Sequence, residues 1–135
     1  MKLRKETINI LKRLDIKLLY VFGSSVTKTQ NDKSDIDIGV VFGENSNPNY
    51  HISFIYLYKA LTNEFRNKEF RNKEIDIVFL NNAPLTLKFN VVIEGKIVYK
   101  DSTEFENNFK ERVIKEYIDF KPLLDQNEEL ILERI

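Results

Sequence analysis

The chain has 135 residues, which suits one hydrophobic core and leaves little room for a second. Its 21 Lys and Arg balance 21 Asp and Glu, so no net field draws it to nucleic acid or to an anionic membrane. The absence of cysteine excludes disulfides, thiolate zinc sites and cysteine nucleophiles, and the single histidine, His51, excludes a histidine-rich metal site.

Leu3, Ile8, Leu11 and Leu14 recur at helical spacing among charged neighbours and predict an amphipathic first helix. The charges in this segment argue against a signal sequence or a spanning helix, so a cytoplasmic protein is expected. Leu18 to Phe22 is a short apolar run ended by Gly23-Ser24-Ser25, the pattern of a buried strand feeding a tight turn. Residues 28–34 are polar and loop-like. Residues 35–42 predict a second strand, and 43–48 a turn.

Pro48 suits the first turn of a second helix carrying Ile52, Ile55, Tyr56, Ala60 and Leu61. Residues 65–69 and 70–74 repeat Phe-Arg-Asn-Lys-Glu, a period that fits neither helix nor strand and predicts a solvated helix end or loop. Residues 74–79 predict a third strand, Asn81-Asn82-Ala83-Pro84 a turn and helix start followed by an apolar stretch to Ile93 with Gly95 at the helix end, and 96–100 a short strand. Asp101-Ser102-Thr103-Glu104 has capping-box form ahead of a helix to about Phe120 whose stripe, Phe105, Phe109, Val113 and Tyr117, is expected in the core. Pro122 predicts a break or kink, after which Leu123, Leu124, Leu130, Ile131 and Ile135 suggest a terminal helix.

This order implies an α+β domain with one small mixed sheet covered by helices. A single domain over 1–135 is expected, with a catalytic core at about 15–80 and a helical extension at about 102–135.

The chemistry lies between the first and third strands. Residues two apart on a strand share a face, so Asp35 and Asp37 point together while Ile36 and Ile38 point into the core. Two carboxylates in one small volume favour a bound cation, and magnesium is the hard ion that such oxygens take. The same spacing puts Glu74 and Asp76 on one face of the third strand. If that strand lies beside the second, Asp76 completes a cluster suited to two-metal displacement at phosphorus. Upstream, Gly23 and Ser24 offer close backbone approach and a hydroxyl to triphosphate oxygens. Ser25 and Ser34 are either helpers in that turn or plain turn residues, Lys28 and Lys33 are read as solvated loop charge, and His51 is read as capping or flanking a helix.

Gly23-Ser24, ten residues, then Asp35-Ile36-Asp37 resembles the Gly-Ser-x10-Asp-x-Asp signature of the polymerase-β-like nucleotidyltransferases. The size, Ala83-Pro84-Leu85 and Gly95-Lys96-Ile97-Val98-Tyr99 are similar to the minimal nucleotidyltransferases, antitoxins encoded beside HEPN-domain toxins. The resemblance implies AMP transfer from ATP to a tyrosine of a HEPN ribonuclease. In it, Asp35 and Asp37 hold magnesium, Asp76 is third ligand or base, and Gly23 and Ser24 bind the nucleotide phosphates. It also implies a hetero-oligomer with that toxin. A small-molecule acceptor and a non-catalytic, binding antitoxin are the alternatives.

Overall fold

The computed structural model describes residues 2–23, 36–66 and 74–133. Helix α1 (Lys5–Arg13) leads into β1 (Ile16–Phe22), and β2 (Ile36–Phe42) is followed by α2 (Tyr50–Arg66) and β3 (Ile75–Phe79). A 3-10 turn (Leu80–Asn82), α3 (Leu85–Glu94), β4 (Lys96–Lys100) and α4 (Thr103–Glu133) complete the chain. The strands form one sheet in the order β3-β2-β1-β4. β1 is antiparallel to both β2 and β4, whereas β2 and β3 run parallel. A parallel pair needs a crossover, and α2 supplies it. The fold is the expected α+β arrangement with a mixed sheet.

Alternation along the strands divides the core into two layers. Ile16, Leu19, Val21, Ile36, Ile38, Val40 and Phe42 meet Leu11 of α1 and Leu57, Leu61 and Phe65 of α2. On the other face Leu18, Tyr20 and Val41 meet Leu80, Val91, Val92, Phe109 and Val113 from the turn, α3 and α4. The α4 stripe is core as expected: Phe105 joins this layer, and Tyr117 stacks on Phe89 with ring centroids 3.8 Å apart.

Several local features differ from the sequence expectation. Helix α2 begins after Pro48, with Asn49 as its cap: the Asn49 Oδ1 accepts from the Ile52 N–H at 3.0 Å. Asparagine satisfies a free helical N–H in a way that proline cannot. The first copy of the five-residue repeat does not start in solvent, because Phe65 is buried in the layer beneath α2; residues 67–73 lie outside the described residues. Only half of a capping box forms at α4. Ser102 Oγ accepts from the Phe105 N–H at 3.0 Å, and phenylalanine at that position has no group to return the bond.

Pro122 does not divide the tail into two helices, since α4 is one helix of 31 residues. The proline ring removes one hydrogen bond to the carbonyl four residues back, at Ile118. Ile118 and Phe120 are exposed, so water is at hand to solvate the freed backbone and the helix continues.

A buried carboxylate adds a polar link between α1 and α2. Glu64 is only 2% exposed, and its Oε1 accepts from the Arg4 N–H at 2.7 Å and from the Thr7 hydroxyl at 2.9 Å. Arg4 is the N-cap of α1, so a carboxylate from another helix satisfies the start of α1 and complements its dipole. On its outer side α2 exposes Ile52, Phe54, Ile55, Tyr56 and Tyr58. Among the described residues no helix is long and apolar enough to cross a membrane.

Candidate active site

The acids gather at one end of the sheet because of its strand order. In the antiparallel pairing Phe22 stands opposite Asp37, and in the parallel pairing Asp37 stands opposite Asp76. Phe22, Asp37 and Asp76 therefore form one row across three strands. The next row is Tyr20, Gly39 and Val78. Both rows face the layer covered by α3 and α4, as Ile36 and Ile38 occupy the opposite face with no exposure. A backbone bond from the Ile36 N–H to the Glu74 carbonyl, 2.8 Å long, fixes the two strand starts in register.

Gly23 closes the site from β1. Its φ is +78°, a conformation that a side chain disfavours. A Cβ built there would clash with Asp37 Oδ2 and stand 3.1 Å from Asp37 Cγ. The glycine is thus what allows the backbone at the end of β1 to rest against the Asp37 carboxylate. Asp37 is half-buried and Asp76 exposed, so the row opens to solvent at Asp76.

Of the expected site residues, Gly23, Asp37 and Asp76 are brought together. Ser24 and Asp35 lie outside the described residues, as do Ser25, Lys28, Lys33 and Ser34. Among the described residues there is no group of three or more His, Cys, Asp or Glu gathered to hold a metal. The described pair nevertheless fits a cation: two carboxylates from adjacent parallel strands share a face and a register position. His51 is an exposed residue in the first turn of α2.

Beneath the acids the layer is apolar. Tyr20, in the second row, has its phenol pushed up to about 12 by burial, with the nearby Glu106 charge adding to the effect. A neutral phenol at working pH leaves the layer without charge. Phe22, Gly39 and Leu80, which form this floor, were not marked by the sequence motif. Glycine inside a strand is the signal that was available, since it marks a close approach by a neighbour.

A cleft of about 460 Å³ lies at the opposite end of the sheet, lined by Lys17, Glu44, Ser102, Phe105 and Arg112 among others. Its cations are paired: Arg112 with Glu44 at 2.8 Å, and Lys17 with Asp15 and Asp101 at 3.3 and 3.6 Å. The Asp15 hydrogen bond is the main cause that raises the Lys17 ammonium above its usual range. These charges neutralise one another and tie β1 to the strand ends around it.

A mixed sheet that places a left-handed glycine against an acid pair on adjacent strands defines a nucleotidyltransferase class of fold. The chain belongs to the polymerase beta nucleotidyltransferase family, whose model matches residues 5–104. It is 26% identical over 125 residues to the protein adenylyltransferase MntA of Aphanizomenon flos-aquae (strain 2012/KM1/D3), covering 90% of this chain and 83% of that protein. A toxin–antitoxin complex solved with AMP-PNP contains a chain of the same fold, with a TM-score of 0.64 at 24% identity, covering 93% of this chain and 99% of the other. Another is found in the complex of the tri-AMPylated Shewanella oneidensis HEPN toxin with MNT antitoxin, at a TM-score of 0.58 and 22% identity, covering 91% and 93%.

Proposed function

We propose that this protein is an antitoxin that transfers AMP from ATP to a hydroxyl of a partner protein, a tyrosine of a HEPN toxin. The observation that carries the reading is the Asp37–Asp76 row with Gly23 against Asp37. The similarity to an MntA adenylyltransferase supports the reaction, and the AMP-PNP and tri-AMPylated complexes of like-folded chains support the donor and the acceptor. The exposed apolar side of α2, which carries no exposed carboxylate, supports a protein partner over a small metabolite. The reading places the protein in the cytoplasm, where ATP is available.

Asp35 and Asp37 are assigned as magnesium ligands, with Asp76 as third ligand or as base. Magnesium, when bound, neutralises charge on the triphosphate and favours in-line displacement. Gly23 and Ser24 hold phosphate oxygens through backbone N–H groups and the serine hydroxyl. The acceptor oxygen bonds to the α-phosphorus, the bond from that phosphorus to the β-bridging oxygen breaks, and pyrophosphate leaves. In the base role Asp76 takes the hydroxyl proton. Exposure of Asp76 at the outer end of the row suits a residue that meets an incoming acceptor.

The test is to incubate the protein with magnesium, source-cell lysate and ATP labelled at the α- or the γ-phosphate. One protein band labelled from the α-phosphate, and lost in the Asp35→Asn, Asp37→Asn variant, is expected. Label in a small product redirects the reading to a metabolite acceptor. Label only from the γ-phosphate, or none while the double variant still neutralises the toxin, overturns AMP transfer.

A further inference from the structure

Gly39 lies two residues beyond Asp37 on the same sheet face, between Tyr20 and Val78. A Cβ built on it would stand 2.8 Å from Leu80 Cδ1, 3.3 Å from Leu80 Cγ and 3.4 Å from Phe22 Cε1. The space that a side chain would fill in the second row is therefore taken by a leucine from beyond β3 and by the ring of Phe22. Phe22 is the residue opposite Asp37 and the one directly before Gly23. Its ring packs inward toward Gly39, leaving the edge above Asp37 to the glycine turn.

The two neighbours differ in their freedom to move. Leu80 has no exposure, so in a close-packed layer it has no empty space to enter. Tyr20 beside it is also buried. Phe22 is only half-buried, and it stands in the row of Asp37 and Asp76. A methyl at position 39 would overlap Leu80 and touch the Phe22 ring, so repacking around it involves both, and Phe22 is bonded to Gly23, whose backbone rests on Asp37.

We propose that Gly39 is a positioning residue for the acid pair: its missing side chain holds the Phe22 ring down and keeps the space above Asp37 and Asp76 clear for the metal-bound triphosphate. The inference rests on the AMP-transfer reading. It assigns to an apolar strand position a role in metal binding that acts through Phe22 and Gly23. Gly39 itself touches neither substrate nor metal.

The test compares the parent with Gly39→Ala, Leu80→Val, Phe22→Leu and the two double variants that pair Gly39→Ala with each. Mn²⁺ affinity in the presence of AMP-PNP is measured by electron paramagnetic resonance, together with kcat, KM for ATP and Tm. Gly39→Ala is expected to weaken Mn²⁺ binding by roughly ten-fold and to lower kcat at least as much, with KM for ATP within about three-fold. Each double variant is expected to regain most of the Mn²⁺ affinity while its Tm stays below the parent's. That opposite movement separates positioning from stability.

Parent-like Mn²⁺ binding and kcat in a folded Gly39→Ala overturns the inference. Should Gly39→Ala not fold, folded double variants that bind Mn²⁺ as weakly as ten-fold below their Leu80→Val or Phe22→Leu counterparts overturn it, and equal binding supports it. A parent that neither binds Mn²⁺ nor transfers AMP overturns the functional reading, and the inference with it, without recourse to any variant.

Discussion

Asp37 and Asp76 stand directly opposite one another in the parallel pairing of β2 and β3, although 38 residues separate them in the chain. The separation is bridged by α2, whose packing against the opposite face fixes where β3 returns. Replacing Asp37 by Asn removes one charge and leaves the shape. AMP transfer is expected to fall by about 10² or more, with Tm within a few degrees of the parent. Label transfer and a thermal melt on the same preparation check both, and full activity in Asp37→Asn would sink the assignment.

Gly23→Ala is expected to damage both fold and site. The φ of +78° costs an alanine about 1–2 kcal/mol, and its Cβ clashes with Asp37 Oδ2. Stability is therefore expected to drop modestly and activity severely, because the carboxylate must leave its position. Urea denaturation and AMP transfer measured together test this. Activity that falls only in proportion to the unfolded fraction would argue that the contact has no role in the site.

Glu64 gives the opposite pattern, a cost in stability with no chemistry. Glu64→Ala leaves the Arg4 N–H and the Thr7 hydroxyl without their acceptor in a buried place and is expected to cost about 2–3 kcal/mol. Glu64→Gln keeps an acceptor oxygen and is expected to cost less than half as much. Turnover per folded molecule should stay at the parent value in both. An alanine variant as stable as the parent would show that the α1 cap is dispensable.

Tyr20 predicts a pH effect at the alkaline end. Its phenol ionises near 10 when unfolded and at about 12 when folded, because burial disfavours the phenolate. The folded state thus holds its proton where the unfolded state has lost it, and stability falls as pH rises from about 10 to 12. The full contribution is present below pH 10. Tyr20→Phe has no proton to lose, so its Tm is expected to fall less across that window. Parallel slopes for the two proteins would refute the assignment.

Much of the site was legible in the chain. Ile36-Asp37-Ile38 and Ile75-Asp76-Ile77 show their two faces by alternation alone, because a strand's side-chain period is two, and Gly23 stands out as the break after an apolar run. The α4 stripe was legible for the same kind of reason, a period near that of a helix. Pro122 was misleading because one lost hydrogen bond in an exposed stretch does not outweigh the helix on either side.

Glu64 carried no local signal, since a glutamate near a helix end is usually solvated, and only the approach of α1 makes it an internal cap. Gly39 was visible as a letter and silent as a role. The sequence by itself determined the strands, the helices and the acids that share a face, because those follow from local periodicity. The tertiary structure alone decided that β3 lies against β2, that Gly23 rests on Asp37, and that Leu80 and Phe22 meet over Gly39. Those contacts join residues distant in the chain, and their partners are chosen by packing across the sheet, which no local pattern encodes.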